Sequence, residues 1–428
     1  MNHADTKVVQ NGIGRFHQKK ILRAFVSSWF KSFLGVFRGE DPVADTSMTV
    51  DPNSPRRLAD LPTPCLVLDR AKLAHNIALM AEAVARHGGV ALRPHMKTAK
   101  SVEVARLAVA GQQGGITVST LAEVDYFAAA GFRDILYAVG ITPAKLDRAA
   151  ALRRQGVDLA IVTDDPETAA AIAAHARATG AGHRVLVEVD CGEHRGGMAA
   201  ESETLLAVGS ALGPLCAGIM THAGHSYACR SIDEIAAVAE AERLAAVTAA
   251  ERLRWLGLAI DIVSVGSTPT ALHARSLAGV TETRPGVYMF QDLFQTQIGS
   301  GNAESMAVTV LASVIHRRQA ENRVVIDAGA MALSKDRSTA AAPKDYGFGL
   351  VLDATGRQSL GAAVVERANQ EHGVVGAATP LPFDRLAVGT HLRVAPNHVC
   401  MTAAAYDRYH VVDDDDAVID VWQRVNGW

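Results

Sequence analysis

The segment VALRPHMKTAK, Val90 to Lys100, opens apolar and turns cationic at Arg93. Alternate side chains of a strand share a face, so Arg93, His95 and Lys97 would point the same way. Cations on one face of a buried strand are costly unless each is neutralised or the strand stops. A strand that ends here resolves the conflict, with Lys97 at its mouth facing a bound anion or a reacting carbonyl. Parallel α/β barrels place their working residues at that position, the carboxyl ends of the strands.

The flanking sequence supports such a strand. Upstream, Arg70 to His87 carries Leu73, Ile77, Met80 and Val84 at helical spacing and stops at Gly88 and Gly89. That pattern predicts an amphipathic helix with a glycine C-cap. Downstream, strand-length apolar runs recur at Gly115–Ser119, Ile135–Val139, Leu159–Val162, Val185–Val189, Ala217–Thr221, Ile262–Val265 and Val280–Arg284. Ala-rich helical stretches such as Leu121–Ala130, Pro143–Gln155 and Pro166–Thr179 separate many of them. Alternation of this kind predicts a (β/α)8 TIM-type barrel over residues 58–304 rather than an open sheet. No GxGxxG or GxxxxGK[ST] motif stands where an open-sheet nucleotide site would need it.

After about Gly299 the pattern changes. SMAVTVLASVIHRR (305–318), NRVVIDAG (322–329), GFGLVLDAT (347–355) and GTHLRVAP (389–396) are β-rich and separated by turn residues. They predict a C-terminal antiparallel β domain over 305–428. The acidic run Asp413–Asp416 reads as a solvated turn between two late strands.

Composition bounds the function. The chain has 428 residues, 49% of them hydrophobic, and a formal net charge of -3. It is long enough for two cores and has no basic footprint for nucleic acid. Five scattered cysteines without a CxxC do not form a disulfide framework and predict a cytoplasmic protein. The stretch Arg15–Gly39, RFHQKKILRAFVSSWFKSFLGVFRG, holds six Lys/Arg, no acid and five of the eleven Phe residues. No apolar run there approaches the ~20 residues of a membrane span. Residues 1–57 read as an extension outside the fold, with Met48 opening an ordinary N-terminus. A basic amphipathic surface helix or a targeting segment is the alternative.

The strand ends carry a non-random set of side chains. The first yields His95 and Lys97, and the fifth yields Asp190 and Arg195 in EVDCGEHRGG. The sixth yields His222, His225 and Tyr227 in THAGHSY, the seventh VGSTPT, and the eighth Arg284 and Tyr288 in RPGVYMFQD. Gly266, Ser267 and Thr268 before a helix offer hydroxyls and backbone N–H groups to a phosphate. Taken alone, GSTPT is more simply a Ser/Thr N-cap. Beside a strand-end lysine it points to pyridoxal phosphate held covalently by Lys97. Arg93, His95 and partial burial would lower the pKa of that amine, as the chemistry requires. In PNHVCMT, His398 and Cys400 are two apart, so in an extended segment both side chains face one way and can bind one metal ion. A core cysteine beside a satisfied histidine is the simpler reading of the bare pair.

RPHMKTAK, HRGG, THAGHSY, VGSTPT and NQEHG together resemble the fold-type III pyridoxal phosphate enzymes, whose architecture is that of alanine racemase. Within them they resemble the branch containing D-serine dehydratase and D-threonine aldolase, over about residues 60–428. The resemblance implies that Lys97 carries the cofactor and removes the α-proton, with His95 nearby. It implies that Arg195 faces the pyridine nitrogen and that Gly266, Ser267 and Thr268 form the phosphate loop. Tyr288 would add a phosphate contact, and Tyr227 would line the pocket. His398 and Cys400 would bind a divalent metal, zinc or else manganese, magnesium or cobalt; aldolases of the branch typically carry His-x-Asp instead. The implied reaction is loss of water from a D-β-hydroxy amino acid, D-serine or D-threo-3-hydroxyaspartate, in a homodimer. Aldol cleavage of the D-threonine aldolase type is the alternative. A non-catalytic pyridoxal phosphate-homeostasis role is a further one, which the long β domain argues against. A second substrate carboxylate wants a cation, and Lys335, Arg337 or Arg284 are candidates.

Overall fold

The structure, a computed structural model, describes residues 56–413 and 416–428. The expected extension 1–57 lies outside these but for its last two residues, as do Asp414 and Asp415 of the acidic run. The first strand, β1 (Cys65–Asp69), does not enter the barrel. The barrel consists of β2 (Ala91–Leu92), β3 (Ile116–Val118), β4 (Asp134–Gly140), β5 (Asp158–Thr163), β6 (Arg184–Val189), β7 (Cys216–Thr221), β8 (Ile262–Val265) and β9 (Glu282–Thr283). All its pairings are parallel, in the order β2-β9-β8-β7-β6-β5-β4-β3. Each expected strand is present, though the last is only two residues long.

The opening segment closes this barrel. Arg93 N donates to Thr283 O at 2.9 Å and His95 N to Pro285 O at 2.8 Å on one side. On the other, Thr117 N donates to Pro94 O at 2.9 Å and Met96 N to Thr117 O at 2.8 Å. His95 and Thr117 thus form the parallel bridge that joins the two end strands. Pro94 has no N–H, so the ladder is interrupted where the chain turns toward Lys97.

The crowding of cations is resolved residue by residue. Arg93 is buried inside the barrel, where its Nε donates to Glu282 Oε2 at 2.7 Å and its Nη atoms to Asp134 at 2.9 and 2.8 Å. Glu282 Oε1 accepts from Ser264 Oγ at 2.5 Å, and Ser264 Oγ accepts from Arg284 Nη1 at 2.5 Å. A network with its donors and acceptors matched holds its charges in a low-dielectric interior. Lys97 is exposed, but into a cavity at the carboxyl end of the strands.

The helices follow the sequence pattern, except that the first ends at Ala85 with Arg86 rather than a glycine at its C-cap. Arg70–Ala85 is capped by Asp69, which accepts from Lys72 N, and buries Leu73, Met80 and Val84. Pro166–Thr179 has Asp165 as N-cap and Gly180, at φ 69°, as C-cap. The second sheet contains β10 (Val308–Arg318), β11 (Arg323–Ile326), β12 (Leu350–Leu352), β13 (Ser359–Ala368), β14 (Gly373–Gly376), β15 (His391–Ala395), β16 (Arg408–Val412) and β17 (Val418–Gln423). Antiparallel pairing runs β11-β14-β13-β12-β15-β10, and β10 also pairs with β11, so this ring closes too. β1 pairs antiparallel with β10 and parallel with β16. The segment 58–304 therefore begins with a strand of the β domain's sheet, reached before the chain winds the barrel. Among the described residues no helix is long and apolar enough to cross a membrane.

Arg93→Met leaves Glu282 buried without its cation and is expected to destabilise the protein by about 3–5 kcal/mol in urea unfolding. A loss below about 1 kcal/mol, the range of surface pairs such as Arg275 with Asp233, would show that the network does not hold the barrel.

Candidate active site

Most of the strand-end residues meet in one cavity of about 810 Å3 between the barrel mouth and the β domain. His95, Lys97, Arg195, His222, Tyr227, Gly266, Ser267, Thr268, Arg284, His398 and Cys400 all line it; Asp190, His225 and Tyr288 do not.

Lys97 is the free amine of the set: its Nζ has no hydrogen bond or ion pair among the described residues. Burial of the surrounding cavity lowers its pKa. The Cys400 thiolate works against this, and Arg195 and Arg284 add to it. His95, on the seam, is held well below its ordinary pKa by burial and then by Lys97. His222 falls to about 3 for the same two reasons, and its Nδ1 hydrogen-bonds Gly266 O at 3.0 Å. Both imidazoles are therefore neutral, leaving lysine and arginine as the cations of the barrel floor.

The phosphate-loop expectation can be tested on Gly266. Its φ is 118°, and a Cβ there would lie 2.3 Å from Thr283 Oγ1 and 2.9 Å from Arg284 N. Only glycine allows this turn to sit so close to β9. Ser267 caps the helix Thr268–His273 and hydrogen-bonds Ser226 Oγ at 2.9 Å. Tyr227 lies at the same turn, its hydroxyl bonded by the backbone of Thr268. Tyr288 packs behind: its N donates to Thr268 Oγ1 at 3.2 Å, and its buried hydroxyl has no partner among the described residues. A glycine-shaped cradle, clustered hydroxyls and a lone low-pKa amine fit pyridoxal phosphate.

Arg195 lines the cavity with Lys97 and the Gly266 turn. Its side chain is 56% exposed at the rim, with Glu193 at 3.4 Å and Glu188 at 3.9 Å. The other guanidinium of the lining, Arg284, is buried. Arg284 donates to Ser264 Oγ and to Thr221 O, both at 2.5 Å.

The His398–Cys400 pair differs from expectation. The segment is not extended: His398 is the N-cap of a short helix, Val399–Ala403. The two side chains still converge and interact with each other across the first turn. Burial disfavours a charged His398, yet the Cys400 thiolate and Asp292 push its pKa up to about 11. Burial alone would raise the Cys400 thiol. His398, the Thr98 hydroxyl at 3.1 Å and Lys97 more than offset this, and its pKa is lowered. A thiolate and an imidazole sharing a proton are a donor set that suits a zinc-like cation in place of that proton. Two protein ligands leave coordination positions open, and no group of three or more His, Cys, Asp or Glu with metal-site geometry occurs among the described residues.

Sequence reading missed two carboxylates. Asp292 is fully buried; its Oδ1 caps Gln295 N at 2.9 Å, and its Oδ2 takes Val399 N at 3.0 Å and His398 Nδ1 at 3.3 Å. This contact restrains the ring and leaves Nε2 free of Asp292, the usual outer-shell arrangement for a metal-binding histidine. Its only signal in sequence is that of an N-cap. Glu242, in the helix Ile232–Trp255, accepts from Ala223 N at 3.0 Å and Gly266 N at 2.9 Å, pinning the ends of β7 and β8. An acid in the buried stripe of Ile235, Ala239, Ala246 and Ala249 was its signal.

The alanine racemase N-terminal domain family matches residues 68–293, and the putative serine dehydratase domain matches residues 307–412. D-threo-3-hydroxyaspartate dehydratase of Delftia sp. (strain HT23) is 45% identical over 379 residues, 87% of this chain and 99% of the relative. The chain belongs to the alanine racemase-like family that carries a serine dehydratase domain. D-serine dehydratase of Dictyostelium discoideum is 30% identical over 397 residues, 86% of this chain and 98% of that protein. Among solved structures of the family, a cysteine-to-alanine variant of D-threo-3-hydroxyaspartate dehydratase in a metal-free form superposes with a TM-score of 0.84. That chain is 43% identical, and the match covers 87% of this chain and all (100%) of the other.

Gly266→Ala is expected to weaken pyridoxal phosphate uptake at least about tenfold, because the added methyl displaces Thr283 or reshapes the cradle. Titration of apoprotein by absorbance checks this, and uptake equal to wild type would separate the turn from the cofactor.

Proposed function

We propose that this protein is a pyridoxal phosphate- and divalent-metal-dependent dehydratase. It removes water from D-β-hydroxy amino acids, with D-threo-3-hydroxyaspartate giving oxaloacetate and ammonia, and D-serine giving pyruvate and ammonia. One observation carries the reading: a thiolate–imidazole pair, His398 and Cys400, lines the same cavity as the low-pKa amine of Lys97. Similarity to dehydratases over nearly the whole chain supports it.

Gly266, Ser267, Thr268 and Tyr227 would hold the cofactor with Lys97, and His398 and Cys400 would hold the metal. When bound, the two supply an electron sink at Cα and a Lewis acid for the β-hydroxyl, which is otherwise a poor leaving group. Lys97 Nζ, neutral at lower pH than an ordinary lysine, takes the α-proton. The neutral His95 and His222 do not compete for that proton, since burial opposes charge on either ring. Asp292 keeps His398 from rotating away through its contact with Nδ1. Loss of hydroxide from Cβ leaves an enamine product, which tautomerises in water to an imine and is hydrolysed to the oxo acid and ammonia.

Incubation with D-serine, D-threo-3-hydroxyaspartate and D-threonine separates elimination from aldol cleavage. Ammonia with oxo acid from the first two is the expected result; glycine with an aldehyde and no ammonia would replace this reading with an aldolase.

Cys400→Ala is expected to lose bound metal, measured by elemental analysis, and to lose at least about a hundredfold in ammonia release. It should still take up pyridoxal phosphate, seen by absorbance. Full turnover in the variant would remove the metal from the mechanism.

A further inference from the structure

Arg424, near the end of the chain, is buried and pairs with no carboxylate among the described residues. Burying a cation is costly, and an apolar side chain of similar volume would serve packing alone better. What surrounds this guanidinium is a set of oxygen acceptors. Its Nε donates to Ala99 O at 3.2 Å and to Tyr409 OH at 2.7 Å. Its Nη1 donates to Ala403 O and, at 2.7 Å, to Tyr406 O.

These acceptors belong to the two halves of the site. Ala99 lies two residues after Lys97, in the turn whose Lys100 N donates to Met96 O at 2.7 Å. Ala403 ends the helix Val399–Ala403 that carries Cys400, and Tyr406 follows it. Tyr409 completes the link: its OH donates to Ala99 O at 2.8 Å, and its ring centre lies 5.3 Å from the guanidinium carbon. A guanidinium is planar and aims its donors at fixed angles, so the carbonyls bound to it are held at a set separation. The direct contact of turn with helix, Thr98 Oγ1 to Cys400 Sγ at 3.1 Å, is a single bond that fixes a distance and not an orientation. Arg424 itself does not line the cavity.

Resting on the dehydratase reading, we propose that Arg424 is a positioning residue, which sets the separation of Lys97 from the His398–Cys400 pair. Each half can take up its own group without it. What needs Arg424 is the passage in which one substrate loses both its α-proton and its β-hydroxyl. Misplacement by about 1 Å can cost about a hundredfold in such chemistry.

The test compares Arg424→Gln with wild type, both supplied with pyridoxal phosphate and zinc. In the variant, kcat for ammonia release from D-serine should fall at least about tenfold, while KM changes by less than about threefold. Pyridoxal phosphate uptake, followed by absorbance, and zinc content, by elemental analysis, should match wild type. Arg424→Lys, which cannot span both sets of carbonyls, should recover only part of kcat. Tyr409→Phe keeps the packing and removes one hydroxyl, so it carries the test if Arg424→Gln does not fold. Its kcat should fall about threefold with the same uptake of cofactor and zinc. Unchanged kcat would overturn the proposal. So would a loss of turnover matched by an equal loss of cofactor or of zinc, because Arg424 would then serve one half alone. Glycine and aldehyde from D-threonine in place of ammonia would remove the dehydratase reading, and the same comparison on aldehyde release would still decide the role of Arg424. Wild type without turnover of either kind would remove both.

Discussion

The site exists because two segments three hundred residues apart are held against each other: Thr98 Oγ1 and Cys400 Sγ are 3.1 Å apart across a separation of 302 residues. One segment follows the barrel's closing seam and the other belongs to the β domain. Packed domains move relative to one another unless their interface is strongly specified. Here the specification is polar and buried. Tyr409 OH donates to Ala99 O at 2.8 Å, Val425 N donates to Lys100 O at 2.9 Å, and Arg424 spans Ala99, Ala403 and Tyr406 carbonyls. On the other flank, Leu293 N and Phe294 N donate to Pro396 O and Asn397 O at 3.1 and 3.2 Å. Each such bond, once desolvated, is expensive to leave unmade. The turn bearing His398 and Cys400 is therefore clamped from both sides.

Given that clamp, the electrostatics of the cavity follow from burial. Four basic side chains, Lys97, His95, His222 and Arg284, line a single space. Burial penalises charge on all of them, and the two imidazoles respond by staying neutral. Lys97 is left with a lowered pKa and no partner, the state in which an amine serves as nucleophile and base. Arg284 is lowered by burial as well, but Glu282, Glu242 and Glu188 oppose the shift, and an arginine starts so high that it stays charged. The same physics thus yields neutral rings, a reactive amine and a fixed cation from residues that look alike in sequence.

Legibility tracked locality. Strands, caps and the ends of helices were readable because period, turn residues and N-cap chemistry act within a few residues; Pro166–Thr179 appears with the expected bounds. The strand-end residues were readable because the barrel rule converts position along a strand into position around a mouth. What escaped is non-local. β1 carries no mark that it crosses into the other sheet, and its partners β10 and β16 lie more than two hundred residues away. The exposure of Arg195 and the burial of Arg284 could not be told apart, because both follow a strand of similar character. His398 was placed in an extended segment from its spacing to Cys400, whereas the buried Asp292 carboxylate, accepting from Val399 N, fixes the start of a helix there.

The division of labour between the two sheets explains how one scaffold can host different outcomes at Cβ. On the proposed reading, the groups that would act on Cα, Lys97 and the Gly266 turn, are built by the barrel and braced by barrel residues such as Glu242. The groups placed to act on the β-hydroxyl come from the turn 397–401 of the β domain, and they meet the barrel through Thr98 and Asp292. A substitution at position 400 alters the ligand chemistry without touching a strand, because Cys400 sits on a short helix whose start is held by backbone and carboxylate contacts rather than by its own side chain. In the proposed reaction, proton removal at Cα and the fate of the Cβ substituent would then be separable in structure, although the groups for both line one cavity. Function resides in such grafted sites rather than in the fold, and in this chain one carboxylate, that of Asp292, orients the graft within the clamp of bonds between barrel and β domain.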